Sequence, residues 1–220
     1  MSENRYARQL TPEQIDQQVH RGFVGGFWEE IGQLQFECLV RHGLAPGHRL
    51  LDVGCGCLRG GLHFIDYLEA GHYCGLDINA SLIDAARREL EQANLAAKAP
   101  ELLVDDAFDV ARFGRQFDYA IALSLFTHLH NNHIVRCLVR VAGVLAPGGS
   151  LFATFFESPR PACLEPLLHE PGGITTHYDR DPFHQSFEEI RGLAALAGLH
   201  VEAVAGWNHP RAQRMFRFHH

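Results

Sequence analysis

LLDVGCGCLRGG, at residues 50–61, carries the strongest structural signal in the chain. A run of apolar residues, typical of a buried strand, leads here into a turn of glycines. Glycines let the main chain approach a ligand at points where a side chain would collide with it. The helix that follows presents free N–H groups, which favour an anionic group. The segment therefore predicts a cradle for a cofactor.

A second segment, GLDIN at residues 75–79, ends the next predicted strand. Asp77 follows Gly56 by 21 residues, and a carboxylate at this place can accept hydrogen bonds from both hydroxyls of a ribose. A nicotinamide dinucleotide would also fit these features. Its fingerprint, however, needs a third glycine where this chain has Arg59. The guanidinium of Arg59 could instead pair with the carboxylate of a methionine-derived cofactor.

Predicted strands and helices alternate along the middle of the chain. The strands are HRLLDV, HYCGLDI, ELLV, FDYAIAL and SLFATFF, and HVEAVAGW and AQRMFRF supply two more near the end. Alternation of this kind implies a parallel sheet covered by helices, and the closing pair of strands makes the last strand antiparallel. We therefore expect an α/β fold with seven strands.

The two flanks of this core have patterns of their own. Thr11-Pro12-Glu13-Gln14 predicts the start of a helix that runs towards His20, with a capping box between Thr11 and Gln14. Beyond Gly25-Gly26, apolar residues at helical spacing predict a second helix that Gly43 ends. Residues 157–185, rich in proline and histidine, predict an irregular excursion above the sheet.

Length and composition limit the possible functions. With 220 residues, we expect one domain: a helical N-terminal part over 1–45, a cofactor-binding core over 46–156, and an acceptor-side part over 157–220. The net charge of −7 argues against long nucleic acid as a partner. The cysteines form no CxxC pair and no long apolar segment is present, which predicts a cytoplasmic protein with no membrane partner. The expected assembly is a monomer or a homodimer.

Five segments resemble, in order, the signature motifs of class I S-adenosylmethionine-dependent methyltransferases. They are LLDVGCGCLRGG, GLDIN, VDDAFD, FDYAIALSLFTHL and VLAPGGSLFATFF, within residues 22–156. The resemblance implies a Rossmann-like seven-stranded, mostly parallel sheet with an antiparallel last strand, helices on both faces and an N-terminal helical lid that includes Phe23 and Trp28. It also implies S-adenosylmethionine as cofactor and a small molecule with an oxygen or nitrogen nucleophile as methyl acceptor.

The same resemblance implies which residues bind the cofactor. Main chain at the glycine turn would contact the methionine part, a carboxylate would hold the ribose, and an apolar side chain would pack on the adenine. After the third strand an acidic residue would accept from the adenine amine, with Asp105 as the competing choice, and a serine would line the reactive side. These positions are Gly54, Cys55, Gly56, Asp77, Ile78, Asp106, Ala107 and Ser124, together with Arg59 from the argument above.

A general base is useful if the acceptor is an alcohol or an amine. His128 is the first candidate because imidazole titrates near neutrality and this residue follows the fourth predicted strand. Tyr178 and His184, in the excursion, are the other catalytic candidates. The acids and histidines around them lack a recognised metal-ligand spacing, so no metal is predicted. A cofactor-binding regulator without catalysis, or a nicotinamide-dependent oxidoreductase, remains the alternative function.

Overall fold

A computed structural model describes residue 6 and residues 8–220 of the chain. The chain forms two compact units, an N-terminal unit that ends at Asp109 and a C-terminal unit that begins at Val110. Each is described by itself. The single domain with boundaries after residues 45 and 156 stays a prediction.

In the N-terminal unit, the described residues form three parallel strands and five α-helices. These are α1 (Pro12–Asp16), α2 (Val19–Phe23), α3 (Trp28–Arg41), β1 (Leu50–Val53), α4 (Gly61–Tyr67), β2 (Tyr73–Asp77), α5 (Ala80–Gln92) and β3 (Glu101–Val104). Strand β2 lies between β1 and β3, with Leu50 opposite Tyr73 and Asp77 opposite Val104. The carboxyl ends of the three strands therefore share one edge, where ligands of open parallel sheets bind.

The N-terminal helices begin as the sequence predicts but are divided differently. The Thr11 side chain accepts from the main-chain N–H of Gln14, and the Gln14 side chain accepts from that of Thr11, so the predicted capping box is confirmed. The prediction of one helix running to His20 is wrong. Gln18 has a left-handed backbone with φ of 58°, and this interrupts the helical hydrogen bonding between α1 and α2.

A small apolar core joins these helices to the glycine turn. Its buried members are Leu10, Ile15, Cys57, Leu82 and Ala85, and Phe23, Val24 and Trp28 pack against them. The two aromatic residues assigned to a lid thus contribute to this core. The helices before β1 are consequently part of the folded N-terminal unit.

A buried ion-pair network adds a polar link between the same elements. Glu89 of α5 accepts hydrogen bonds from His20 Nε2 at 2.7 Å and from Arg21 Nε and Nη2 at 2.8 and 2.7 Å. The Arg21 guanidinium also lies 4.6 Å from the ring centre of Trp28. Burial raises the pKa of Glu89, but the hydrogen bonds from His20 and Arg21 outweigh it and lower the pKa to about 2.

In the C-terminal unit, β5 is the central strand. The elements are β4 (Phe117–Ala122), α6 (Asn131–Ala142), β5 (Leu145–Ser158), β6 (Leu167–His169), β7 (Ile174–Thr176), β8 (His184–Ser186), α7 (Phe187–Leu196), β9 (His200–Ala203) and β10 (Arg214–His219). Strand β5 pairs in parallel with β4 and antiparallel with β10, which pairs antiparallel with β9. The predicted antiparallel last strand is confirmed.

The excursion at residues 157–185 is more ordered than its composition predicts. Strands β6 and β7 form an antiparallel hairpin, and β8 pairs in parallel with the end of β5. Gly173, with φ of 63°, supplies the left-handed residue that the hairpin turn needs. The turn also packs closely on the connection before β10, because a Cβ on Gly172 would lie 2.5 Å from Arg211 Cα. The expectation of irregular chain is therefore wrong here.

All six cysteines are free thiols and are buried, where a cysteine packs as a small apolar residue. Burial raises the pKa of the Cys55 thiol well above its ordinary value, so this residue of the glycine turn is held as a neutral thiol. Among the described residues, no helix has the length and apolar character required to cross a membrane.

The Glu89 network predicts a specific loss of stability in acid. The pKa of Glu89 is about 2 in the folded protein, against an ordinary value of 4.5. A depressed carboxyl pKa adds stability above the unfolded-state pKa, and this stability disappears as the pH falls through the folded-state pKa. We expect Glu89→Gln to reduce the free energy of unfolding by about 3 kcal/mol at neutral pH, because His20 and Arg21 lose their charged partner.

Denaturant unfolding of wild type and Glu89→Gln at neutral pH and at pH between 4.5 and 2 measures this effect. The difference between the two proteins should shrink as the pH falls through that range. Glu91→Gln, a change at an exposed glutamate of the same helix, is the control and should follow the wild type. A constant difference at every pH contradicts the assignment.

Candidate active site

The glycine turn after β1 has the geometry that its sequence predicts. Gly54 and Gly56 have φ of 74° and 54°, left-handed values that favour glycine. The N–H groups of Gly54 and Cys55 donate to the carbonyl of Leu76 at 2.8 and 3.1 Å, which directs the turn towards the end of β2. A Cβ on Gly56 would lie only 3.4 Å from Val24 Cγ1. The turn is therefore a close-fitting surface of main chain.

Asp77 holds this turn through its carboxylate. Oδ2 accepts from the N–H of Gly56 at 3.0 Å, and Oδ1 accepts from the N–H of Asn79 at 2.8 Å. Burial raises the pKa of Asp77, and the two main-chain N–H groups oppose that rise. Each carboxylate oxygen can accept more than one hydrogen bond, so this arrangement fixes the direction of the group and keeps capacity for a ligand.

Arg59 connects the turn to the chain between α2 and α3. Its Nη1 donates to the carbonyls of Val24 and Gly26 at 3.1 and 3.0 Å. The guanidinium thus fixes the N-terminal segment next to the turn. The pairing of Arg59 with a ligand carboxylate stays a prediction.

Two large apolar side chains lie exposed at neighbouring strand ends. Ile78, directly after β2, is 46% exposed, and Val104, the last residue of β3, is 45% exposed. Asp77 and Val104 are opposite one another, so these side chains follow adjacent strands. Such a surface suits a flat apolar ring. Of these two residues, the sequence predicted Ile78 as a packing surface and did not predict Val104. The only signal for Val104 is its place between an apolar strand and an acidic pair.

The two acids after β3, Asp105 and Asp106, differ in their hydrogen bonding. Oδ1 of Asp105 accepts from the N–H groups of Ala107 and Asp109, both at 2.9 Å, so this carboxylate stabilises its own turn. Asp106 is exposed and forms no hydrogen bond or ion pair within the part of the chain that the structure describes. The role of Asp106 towards the adenine amine, with Asp105 as the competing choice, stays a prediction.

This difference predicts opposite sensitivities to substitution. Asp105→Ala should lower the free energy of unfolding by about 1 to 2 kcal/mol, because two main-chain donors lose their acceptor. Asp106→Ala should change it by less than about 0.5 kcal/mol, the usual effect at an exposed position. Thermal and denaturant melts of both variants without ligand measure the difference, and equal destabilisation by the two changes would contradict it.

A buried acid inside β1 was missed by the sequence analysis. Asp52 Oδ2 accepts a hydrogen bond from the hydroxyl of Tyr73 at 2.7 Å. Burial raises the pKa of Asp52 to about 7, although the hydrogen bond from Tyr73 acts in the opposite direction. The available signal was a single carboxylate within an otherwise apolar strand. Asp52 lies two residues before the glycine turn. The charge of its carboxylate, close to the turn, therefore depends on pH around neutrality.

In the C-terminal unit, the chain makes a constrained turn after β4. Ser124 has φ of 54°, an uncommon value for a residue other than glycine. Its N–H donates to Thr154 Oγ1 at 2.7 Å, its hydroxyl donates to Gln213 Oε1 at 3.0 Å, and its carbonyl accepts from Thr127 Oγ1 at 3.0 Å. The backbone of Ser124 is held in this conformation from three sides. Its contact with the cofactor stays a prediction.

His128 ends the same turn. Residues Phe126–His128 form one turn of 3₁₀-helix, in which the His128 N–H donates to the carbonyl of Leu125 at 3.0 Å. The imidazole Nδ1 forms a hydrogen bond with Oδ1 of Asp181, and both side chains are partly buried. Asp181 was noticed in the sequence only as one acid of a polar segment. No sequence signal joined it to His128.

The other two catalytic candidates have different surroundings. His184 is 1% exposed, with Nδ1 bonded to Thr176 Oγ1 and Nε2 bonded to the carbonyl of Cys163, both at 2.8 Å. Both of its ring nitrogens therefore serve internal hydrogen bonds. Tyr178 is exposed on the loop after β7. Among the described residues, no group of three or more histidines, cysteines and acids is arranged to hold a metal ion.

Comparisons of sequence find methyltransferases that are similar to this chain. Residues 51–151 match the family model described as a methyltransferase domain. The O-methyltransferase cnsE of Penicillium expansum is 26% identical over 80% of this chain and 64% of its own length. The ubiquinone biosynthesis O-methyltransferase of Coxiella burnetii is 32% identical over 48% of this chain and 42% of its own length. The chain thus spans less than two thirds of the length of these relatives.

Comparisons of structure extend the likeness to nearly the whole chain. The CcbJ methyltransferase of Streptomyces caelestis matches with a TM-score of 0.68 at 15% identity, over 99% of this chain and 98% of that one. An S-adenosylmethionine-dependent methyltransferase of Clostridium acetobutylicum matches with a TM-score of 0.68 at 10% identity, over 94% and 98%. At these identities the likeness establishes the α/β fold. Together with the matched family model, it supports the resemblance seen in the sequence: residues 51–151 match a methyltransferase domain, and nearly the whole chain has the Rossmann-like α/β fold of these structures.

Proposed function

We propose that this chain transfers the methyl group of S-adenosylmethionine to a hydroxyl group of a small molecule. The observation that carries the proposal is His128, an imidazole fixed after β4 with Nδ1 bonded to Asp181. A hydroxyl must lose its proton to become a good nucleophile, whereas a neutral amine already has a reactive electron pair, so a fixed base favours a hydroxyl acceptor. The names of the curated relatives, which are O-methyltransferases, support the same choice.

The N-terminal unit fits the cofactor. Left-handed glycines expose main chain, a fixed carboxylate suits the ribose diol, exposed apolar side chains suit the adenine ring, and an unpaired acid suits its amine. These residues are Gly54, Gly56, Asp77, Ile78, Val104 and Asp106. When bound, S-adenosylmethionine supplies a methyl group already activated by its sulfonium, so the protein has mainly to align the reactants and to move one proton.

The remaining partner assignments are part of this proposal. The net charge of −7 supports a small molecule over long nucleic acid as the acceptor. Buried cysteine thiols support a reducing, cytoplasmic location. We retain a monomer or a homodimer as the assembly, which size-exclusion chromatography with light scattering can decide.

The Asp77 carboxylate provides the test of cofactor binding. Asp77→Asn keeps the size of the side chain and an acceptor for one of the two main-chain N–H groups, but replaces the other oxygen by an NH₂ group and removes the charge that strengthens hydrogen bonds from the ribose. We expect the affinity for S-adenosylmethionine, measured by calorimetry, to fall more than about tenfold. Asp66→Asn, at an exposed acid of α4, is the matched control and should bind like the wild type. Unchanged affinity in Asp77→Asn would remove Asp77 from the binding site.

A second test identifies the acceptor class. Release of S-adenosylhomocysteine is measured over a library of small alcohols, phenols and amines, and we expect turnover with hydroxyl compounds. His128→Ala should then reduce turnover by roughly 10²-fold or more with little change in cofactor affinity. His133→Ala, at an exposed histidine of α6, is the control and should retain wild-type turnover.

Other outcomes of that screen point to specific alternatives. Turnover with amines alone would overturn the hydroxyl assignment. Normal turnover in His128→Ala would transfer the role of base to Tyr178, because both ring nitrogens of His184 already serve internal hydrogen bonds. Binding of S-adenosylmethionine without any turnover would favour a regulator, and calorimetric binding of NAD in its place would favour an oxidoreductase.

A further inference from the structure

We infer that Asp181 is the positioning residue of this site: it holds His128 as the tautomer protonated on Nδ1, so that Nε2 receives the proton of the acceptor. This inference rests on the proposed function and deepens it. It begins from the hydrogen bond between His128 Nδ1 and Asp181 Oδ1, which joins two residues 53 positions apart.

The loop that carries Asp181 is closed by its own main chain. The N–H of His177 donates to the carbonyl of Pro182 at 2.8 Å, and the N–H of His184 donates to the carbonyl of His177 at 3.1 Å. Residues 177–184 therefore form a small loop whose two ends are held together by main-chain hydrogen bonds. Asp181 stands next to this closure, where its backbone has little freedom.

The same loop is attached to the turn that carries His128. The N–H of Phe183 donates to the carbonyl of Thr127 at 2.8 Å. The Phe183 ring also lies 4.7 Å from the ring of His130. These contacts fall within two or three residues of Asp181 and of His128, so the carboxylate and the imidazole are brought together by main chain.

The imidazole is fixed from its own side as well. Phe126 and Thr127 are fully buried, and the Phe126 ring packs 5.3 Å from that of Phe155. The His128 N–H is held by the carbonyl of Leu125. The ring therefore projects from a rigid turn, and the carboxylate of Asp181 decides which of its nitrogens carries the proton.

The chemistry follows from the nature of the two groups. An ionised carboxylate only accepts hydrogen bonds, so Nδ1 must carry the hydrogen and Nε2 the electron pair of the neutral ring. The hydroxyl proton of the acceptor passes to Nε2, and its oxygen uses the released electron pair to bond the methyl carbon while the carbon–sulfur bond breaks towards sulfur. The imidazolium formed in this step is stabilised by the carboxylate, and water then takes the proton from Nε2.

The loop also supplies a matched control. Asp179 lies two residues before Asp181, is exposed, and forms no hydrogen bond or ion pair with any residue that the structure describes. Asp179→Ala removes the same charge from the same loop without touching His128. A general effect of charge would appear in both variants, whereas positioning appears only in Asp181→Ala.

The first experiment needs no acceptor. The full chain is labelled with ¹⁵N-histidine, and the His128 signals are identified by their loss in His128→Gln. We expect the Nδ1-protonated tautomer in the wild type and in Asp179→Ala, and a shift towards the Nε2-protonated tautomer in Asp181→Ala. If Asp181→Ala does not fold, Asp181→Asn preserves the volume and serves the same comparison. An unchanged tautomer on loss of the carboxylate overturns the inference.

The second experiment measures turnover with an accepted substrate. Asp181→Ala should lower kcat roughly tenfold or more with little change in the KM for S-adenosylmethionine. In the His128→Ala background the same change should cause no further loss, because Asp181 acts only through the imidazole. A further loss in the double variant, or full activity in Asp181→Ala, overturns the inference. A wild type inactive with every acceptor defeats the proposed function instead, and the tautomer result still decides the role of Asp181.

Discussion

The N-terminal unit depends on the hydrogen bonds that the carboxylate of Asp77 accepts. One oxygen accepts from Gly56, in the turn after β1, and the other from Asn79, before α5. A single side chain thus joins the ends of two parallel strands to the start of a helix. Burial of this charge is unfavourable by itself and raises the pKa of Asp77, and the two main-chain donors offset only part of that effect. The left-handed glycines are needed because the turn has to place an N–H against the carboxylate.

Asn79 extends this arrangement to the beginning of the described chain. Its side-chain oxygen accepts from Ser81 and Leu82 as the cap of α5, and its amide donates to the carbonyls of Tyr6 and Arg8 at 2.7 and 2.9 Å. The Arg59 bonds to the segment after α2 act in the same way, since they too hold main-chain carbonyls. The N-terminal segment is consequently fixed by its backbone. These main-chain bonds add to the attachment made by its apolar side chains and by the bonds of His20 and Arg21 to Glu89.

The cofactor features were predictable because they are local in sequence. Two glycines in a turn require left-handed backbone wherever they occur, and an acid at a strand end needs only the strand to be placed. The choice between Asp105 and Asp106 was not predictable, because it depends on which carboxylate faces the main-chain N–H groups of its own turn.

The acceptor side was harder to predict, because its contacts join distant residues. His128 meets Asp181 across 53 residues, and Ser124 meets Gln213 across 89. Neither distance leaves a periodic or local signal. The hairpin of β6 and β7 was concealed by short strands and by proline-rich composition. Composition describes average behaviour, whereas a left-handed glycine at one turn is enough to form a hairpin.

The loop at residues 177–184, on the acceptor side, has a part whose geometry must be kept and a part whose sequence can vary. Its closure and its attachment to the turn after β4 use main-chain hydrogen bonds, which any sequence without an interfering proline can form. Asp181 is the side chain that this framework delivers to His128. Tyr178, Asp179 and Arg180 form the exposed tip; they make none of the main-chain bonds of the closure, and the Arg180 side chain contacts His177 Nδ1 at 3.4 Å. Under the proposed function, the tip can change in sequence while the main-chain framework keeps the geometry of His128 and Asp181.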